Sequence, residues 1–335
     1  MTSTTISGKT SLNTFLQKLW AWIKKIPPVY PIFFAIFITL GFLNPKGYQT
    51  MNGIMTFLRP AAPLAVLAIG EMVVLAMGGF DLSVGAIVTF CVLVSSKFLA
   101  NDPANALPNI LMLFGVGIAI GLVNGLVVSY LKVPSFITTL GMMMIVRGSA
   151  LYIVGGAPQG YLTDNFRQFG RNYVQNVPFF TKIPYSLIVL IIFAVIAYII
   201  FHRTNFGRQV LAVGDNMRAS GLSGVRVKLV RVLGFIFCSI FAVVGGILMA
   251  GYGGVNVTIG EGMEMQAIAG CVIGGVLLGG GKGSVMNVIF GAFTLQAIVN
   301  LLNQLGLPKP YTDAVQGLII IGVVAYSALS TLRKR

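Results

Sequence analysis

Charged side chains are scarce in this sequence: Asp, Glu, Lys and Arg make up 9% of its 335 residues, where a soluble domain carries about 25%. That scarcity excludes an ordinary water-soluble domain. Histidine is nearly absent as well. His202 is the single one, so there is no cluster to build a histidine metal centre, and it falls at the end of an apolar span. The three cysteines, Cys91, Cys238 and Cys271, lie far apart in apolar segments without C-x-x-C spacing. This excludes a disulfide framework or zinc ribbon and leaves them as small hydrophobes. No span carries paired carboxylates or a nucleophile with its base, which argues against a membrane enzyme.

A nucleotide-binding loop is also missing, although one stretch comes near it. Residues 274–285 read GGVLLGGGKGSV. A phosphate-binding loop needs G-x-x-x-x-G-K-[ST], whose glycines let backbone N–H groups reach phosphate and whose hydroxyl reaches magnesium. Val276 stands where the first glycine belongs, and Gly283 where the Ser or Thr belongs. The stretch is therefore a glycine-rich turn between apolar segments.

What the sequence has in abundance is apolar length: 56% of its residues are hydrophobic. A transmembrane helix takes about 20 mainly apolar residues, and such runs recur along nearly the whole chain. Punctuation by Pro, Gly and charge predicts ten helices, over 28–44, 60–79, 82–100, 108–130, 134–154, 184–202, 229–252, 264–280, 284–304 and 312–331. The expected architecture is an all-α polytopic membrane protein with both termini on one side. The first run has no small-residue cleavage site and reads as a retained anchor.

Net charge is +15, but the cations sit in loops rather than on one amphipathic face, so topology explains them and nucleic acid does not. With cytoplasmic termini, fifteen Lys and Arg fall on inner segments and seven on outer ones, as the positive-inside rule requires. The expected division is a cytoplasmic segment 1–27, a membrane domain 28–331, and a cytoplasmic tail 332–335. Within the membrane domain, 155–183 forms an outer loop and 203–228 a basic cytoplasmic loop.

VLAMGGFDLSVGA (74–86) and VLLGGGKGSVMN (276–287) share an apolar run, a glycine cluster, one charge and Ser-Val, which predicts two pseudo-repeated halves. The 41 glycines suit close helix packing in lipid, most clearly in GVGIAIGLVNG at 115–125. Intramembrane charge is costly. Glu71 and Arg147 lie within predicted spans and are expected to pair. Asp81, before a Ser at the inner end of a span, reads as a helix cap. Asn124, Thr138, Thr139, Asn287, Gln296 and Asn300 either hydrogen-bond a polyhydroxylated solute or bond neighbouring helices, and both readings stay open. In FGRQVLAVGDNMRASGLSGVRVK, Asp215-Asn216 and Gly221 bound a short helix lying along the membrane.

These motifs resemble the permease subunits of bacterial ATP-binding-cassette (ABC) importers of the ribose, xylose and galactoside type. GGFDLSVGA, VPSFITTLGMMMIVRG, FGRQVLAVGDNMRASGLSGVRV and EMQAIAGCVIGGVLLGGGKGS match family motifs in collinear order from about residue 50 to 330. The resemblance implies a multi-pass protein of the bacterial cytoplasmic membrane that imports a monosaccharide and makes no covalent change. It also implies a separate ABC ATPase that holds the ATP and magnesium, so that this chain binds no cofactor or metal. The other implied partners are a second permease copy or paralogue and a periplasmic or lipid-anchored sugar-binding protein, with lipid around them. Asn216, Ala219, Gly221, Ser223 and Gly224 would seat in the ATPase. Glu71, Asn124, Thr138, Thr139, Arg147 and Asn287 are candidates for the path. Glu71, Gln266 and Met286-Asn287 depart from the family's usual residues. An ion-coupled secondary transporter is the alternative reading; it would not need the basic 203–228 loop.

Overall fold

The computed structural model describes residues 26–99, 101–157, 160–178 and 180–332. The expected cytoplasmic segment 1–27, except its last two residues, and the tail beyond residue 332 lie outside the described residues. The long helices in chain order are α1 (Val29–Leu43), α3 (Met51–Ala76), α4 (Val84–Phe98), α5 (Ala106–Tyr130), α6 (Ser135–Ile153) and α8 (Tyr185–Tyr198, extended by a π-turn to Arg203). They continue as α11 (Val227–Gly253), α12 (Met263–Ile273), α13 (Val285–Gln304) and α14 (Lys309–Leu332). Short helices α2 (Pro45–Tyr48), α7 (Asp164–Arg171), α9 (Asn205–Asp215) and α10 (Met217–Leu222) lie in the connections.

Each of the ten expected stretches contains a helix, but six helices are long and apolar enough to cross a membrane. Val29–Leu43, Val84–Phe98 and Met263–Ile273 are apolar but shorter. At 1.5 Å per residue, the 11 residues of α12 reach only roughly 16 Å, about half a hydrocarbon core. The expected outer loop is not wholly irregular. It holds α7 and an antiparallel hairpin of β1 (Tyr173–Val177) and β2 (Phe180–Pro184), with Tyr173 opposite Pro184 and Val177 opposite Phe180.

Helices α3 and α11 form the centre. From Ala61 to Ala76 every residue of α3 is buried, as expected of a helix apolar all round and wrapped by others. Pro60 and Pro63 interrupt it. Pro63 has no N–H for the Arg59 carbonyl, and the buried Ser186 hydroxyl of α8 donates to that oxygen at 3.1 Å. Another helix thus satisfies the group that the proline frees.

Against α11 lies α5, and the sequence shows why they approach. Gly117, Gly121 and Gly125 recur every fourth residue, making a small-residue stripe on one face. A Cβ at Gly121 would stand 2.7 Å from the Ile236 Cα and the Phe235 carbonyl, and one at Gly125 2.7 Å from the Val232 Cα. The backbones touch there. Gly115, off the stripe, faces open space. At the far end of α11, α7 packs on Gly251 through Gly170, and Arg59 donates to the Tyr173 hydroxyl at 2.9 Å while lying over the Tyr173 and Tyr252 rings. Helix α11 therefore joins the 155–183 loop at one end of the bundle to the basic loop at the other.

Alanine exceeds glycine in helix propensity by about 0.8–1.0 kcal/mol, so Gly115→Ala should leave unfolding in detergent unchanged or slightly raised. Gly121→Ala should lower the thermal midpoint despite that gain, because overpacking costs about 1–3 kcal/mol. Equal midpoints for the two variants would contradict the backbone contact.

Candidate functional site

The first glycine cluster ends α3. Past Ala76 the chain reverses at Gly78, whose φ is +74°, and returns beside α3 without helical bonds until Val84. Extended backbone inside an apolar bundle has no water to bond, so side chains must serve it. Phe80 N–H donates to Ser135 Oγ and Leu82 N–H to Thr139 Oγ1, each at 3.1 Å. Asp81 N–H donates to Glu71 Oε1 at 3.1 Å. Asp81 Oδ1 accepts from the Ser83 N–H at 3.0 Å and the Ser83 hydroxyl at 2.5 Å, and Asn124 Nδ2 donates to Ser83 Oγ at 3.1 Å. Cys238 Sγ lies 3.5 Å from Glu71 Oε2. Glu71, Asp81, Ser83, Asn124 and Thr139 are all fully buried.

Glu71, Asn124 and Thr139 thus come together around one segment, while the other three path candidates do not join them. Thr138 bonds its own helix at Pro134 O, 3.2 Å away, and Asn287 Oδ1 accepts from the Tyr30 hydroxyl at 2.8 Å. Arg147 pairs with Glu261 at 3.5 Å, with the two side chains 44% and 56% exposed. The expected Glu71–Arg147 pair is not formed. Glu71 points inward, toward α11 and the returning chain, whereas Arg147 stands on an exposed face of α6 and meets a carboxylate from the loop before α12. The amide of Gln296 donates to Asn300 at 3.0 Å, a bond within α13.

One further expectation is corrected. Asp81 does not cap α4 at the bundle's end. Ser83 holds the cap position without a side-chain bond, and Asp81 makes a local turn level with Glu71, about 7 Å inward from the end of α3 at 1.5 Å per residue. The reversal at Gly78 also lays Asp81 against Glu71.

The expected helix over 264–280 begins as predicted but ends at Ile273, and the sequence did not show that its start meets α4. Gly260 N–H donates to Thr89 Oγ1 at 3.2 Å, and a Cβ on Gly85 would strike Gly260 O and the Glu264 carboxylate. The starts of α4 and α12 therefore meet. Their depth follows from Gly246, about seven residues or roughly 10 Å before the end of α11; a Cβ there would lie 2.7 Å from Cys91 and 3.2 Å from the Val88 Cα. Two short helices begin facing each other inside the bundle, with Glu264 in the first turn of α12. Helix starts carry partial positive charge, and facing discontinuous helices are a recurrent way to line a solute site. The signals the sequence offered were Gly85 and Gly260, the two glycines that let the helix starts approach.

The loop candidates form one exposed unit. Asn216 Oδ1 accepts from Ala219 N–H at 2.9 Å and caps α10, and the Ser223 hydroxyl donates to Ala219 O at 3.0 Å. Gly224 ends the unit at φ +84° with nothing near it. Asn216, Ala219, Gly221, Ser223 and Gly224 are all exposed. Leu222, unremarked in the sequence, is 85% exposed among them.

Behind this unit the glycine-rich stretch finds its role. Gly281 N–H donates to Ala76 O at 2.9 Å. A Cβ on Gly280 would stand 2.8 Å from the Gly214 Cα and 2.9 Å from Gly78 N, and one on Gly214 would strike Ala76 O. The end of α3, the end of α9 and the 279–281 turn therefore touch backbone to backbone. The two similar glycine stretches, 74–86 and 276–287, meet there.

Comparison with known proteins adds to this geometry. A family described as branched-chain amino acid transport system / permease component matches residues 53–324. Ribose import permease protein RbsC of Escherichia coli K12 is 31% identical over 96% of this chain and 97% of its own length. Galactose/methyl galactoside import permease protein MglC of Haemophilus influenzae is 32% identical over 91% and 95%. Autoinducer 2 import system permease protein LsrC of Photorhabdus luminescens is 31% identical over 87% of both chains. No solved structure matches.

Because Glu71 and Arg147 have separate partners, the stability losses of Glu71→Gln and Arg147→Gln should add in the double variant within about 0.5 kcal/mol. Thermal unfolding of the four proteins tests this, and a strongly sub-additive double variant would restore the direct pair.

Proposed function

The chain belongs to the branched-chain amino acid transport system / permease component family, and from that premise we infer that it is the membrane-spanning subunit of an ABC importer for a monosaccharide. It is a transport component, not an enzyme. The ion-coupled carrier is not favoured. The observation that carries the importer reading is the exposed 216–224 unit, capped at Asn216 and standing on the Gly78, Gly214 and Gly280 junction. A self-contained carrier has no use for such a surface.

On this reading a separate ATPase binds ATP and magnesium and docks on Asn216, Ala219, Gly221, Ser223 and Gly224, with Leu222 filling an apolar recess. Movement of α9 passes through Gly214 to the end of α3 and the 279–281 turn. From there it reaches the returning segment at 79–83 and the facing starts of α4 and α12. Ten helices in two pseudo-repeated halves, with both termini and the basic loop in the cytoplasm, complete the layout. The meeting of the two glycine turns supports the repeats, and the lysine and arginine bias supports the orientation. Solute reaches a path shared with a second permease from an extracytoplasmic binding protein. Arg147 and Glu261, exposed at the level of the helix starts, face that path, while Glu71, Asn124 and Thr139 hold its wall. Thr138 and Asn287 remain candidate contacts. The imported solute is a ribose-like pentose or a hexose.

Purification from native membranes in mild detergent tests the assignment. The expected result is a stoichiometric nucleotide-binding subunit with ATPase activity, lost in Gly221→Trp/Gly224→Trp. Gly214→Val should keep the subunit bound but abolish solute uptake in proteoliposomes. A chain that purifies alone without ATPase activity would overturn the reading.

A further inference from the structure

At the basic end of the bundle a cavity of about 430 Å³ opens between the end of α5 and the start of α11. Ser129 and Lys132 line it from α5 and the turn after it, Lys228 and Arg231 from α11, and Met217 from α10. No carboxylate is among its lining residues. The ion pairs among the described residues join Arg147 to Glu261 and Arg171 to Asp164, so neither lysine nor Arg231 has an acidic partner there. Arg231 reaches the Val128 carbonyl only at 3.5 Å, and Lys228 lies 4.8 Å over the Tyr130 ring. The Ser129 hydroxyl, 95% shielded, has no hydrogen-bond partner. Lys132 holds a left-handed φ of +58°, just past the α5 cap, where glycine is the usual residue.

Three cations and a buried hydroxyl without a partner bordering one space, without an acid, call for a phosphate-bearing ligand. The surroundings indicate its source. Leu126 and Tyr130 on α5, Leu131 just after it, and Leu229 and Leu233 on α11 are 42–70% exposed, so apolar surface runs away from the cavity along both helices. That surface faces lipid in the membrane, so the anion nearest the cavity is the headgroup of a phospholipid whose chains lie along it. We propose that this cavity binds the headgroup of an anionic phospholipid, with its chains along α5 and α11. Basic pockets between helices at the cytoplasmic surface are suited to such headgroups. A bound headgroup would touch Met217, the first residue of α10, and so brace the loop that meets the ATPase. The lipid site rests on the membrane-spanning reading and is independent of the identity of the solute or motor.

The test is native mass spectrometry of the purified chain, with any subunits that accompany it, after exchange into phosphatidylglycerol or phosphatidylcholine of matched acyl chains. Thermal midpoints are read in parallel. Phosphatidylglycerol should be retained through detergent washing at about tenfold higher occupancy than phosphatidylcholine, and added salt should weaken it. Lys132→Gln/Lys228→Gln/Arg231→Gln should abolish that preference, while Arg203→Gln/Lys282→Gln, exposed cations at the same end, should keep it. Should the triple variant fail to fold, Lys132→Gln and Lys228→Gln singly, both at exposed positions, should each reduce retention several-fold. Equal retention of the two lipids, unchanged retention in the cavity variants, or the same midpoint shift from inorganic phosphate alone would overturn the proposal. None of these outcomes alters whether an ATPase co-purifies.

Discussion

A main chain that leaves helical geometry inside an apolar bundle must find hydrogen-bond partners there, and much of this molecule follows from how residues 79–83 do so. The N–H groups of Phe80, Asp81 and Leu82 are received by Ser135, Glu71 and Thr139. An unsatisfied buried group costs about 1–3 kcal/mol, so three at once would rival the whole stability of a typical domain. Polar residues on α3, α5 and α6 are therefore fixed by one short segment. Their positions fix where α4 starts, and Gly85 and Gly260 then fix where α12 can start.

A second constraint is closeness. Where Gly78, Gly214 and Gly280 meet, no side chain intervenes between the basic loop and the turns that precede α4 and α13. Backbone contact of this kind transmits displacement with little slack, because close-packed protein is hardly compressible. The hydrogen bond from Gly281 to Ala76 adds direction to the contact. An exposed loop surface and a buried polar wall thus belong to one contiguous packed unit, although about 140 residues separate their sequences.

The helical, membrane-spanning class was legible because apolar length is a strong signal. So was the glycine stripe of α5, whose four-residue spacing is a property of the sequence alone. The 216–224 unit was legible from Asn216 and the glycines that follow it. Pairing was not. Glu71 and Arg147 were the evident intramembrane charges, yet each partner depends on a reversal that hydropathy does not encode: Gly78 brings Asp81 back to Glu71, and the descent of 254–262 brings Glu261 to Arg147. Residues 173–184 likewise read as loop, since two five-residue strands in a polar connection have no apolar alternation to announce them. Ser186 gave no sign that it would answer Pro63, because its role exists only once α8 lies against α3.

The three cysteines have a practical consequence. Cys91, Cys238 and Cys271 are free and fully enclosed in the bundle, so the folded protein presents no native thiol to an aqueous alkylating reagent. A single cysteine introduced at Leu222, 85% exposed, would be the one fast-reacting position among the described residues. Spectroscopic probes can thus be attached to the exposed loop without first removing sulfur from the core, where replacing Cys238 would disturb the packing around Glu71.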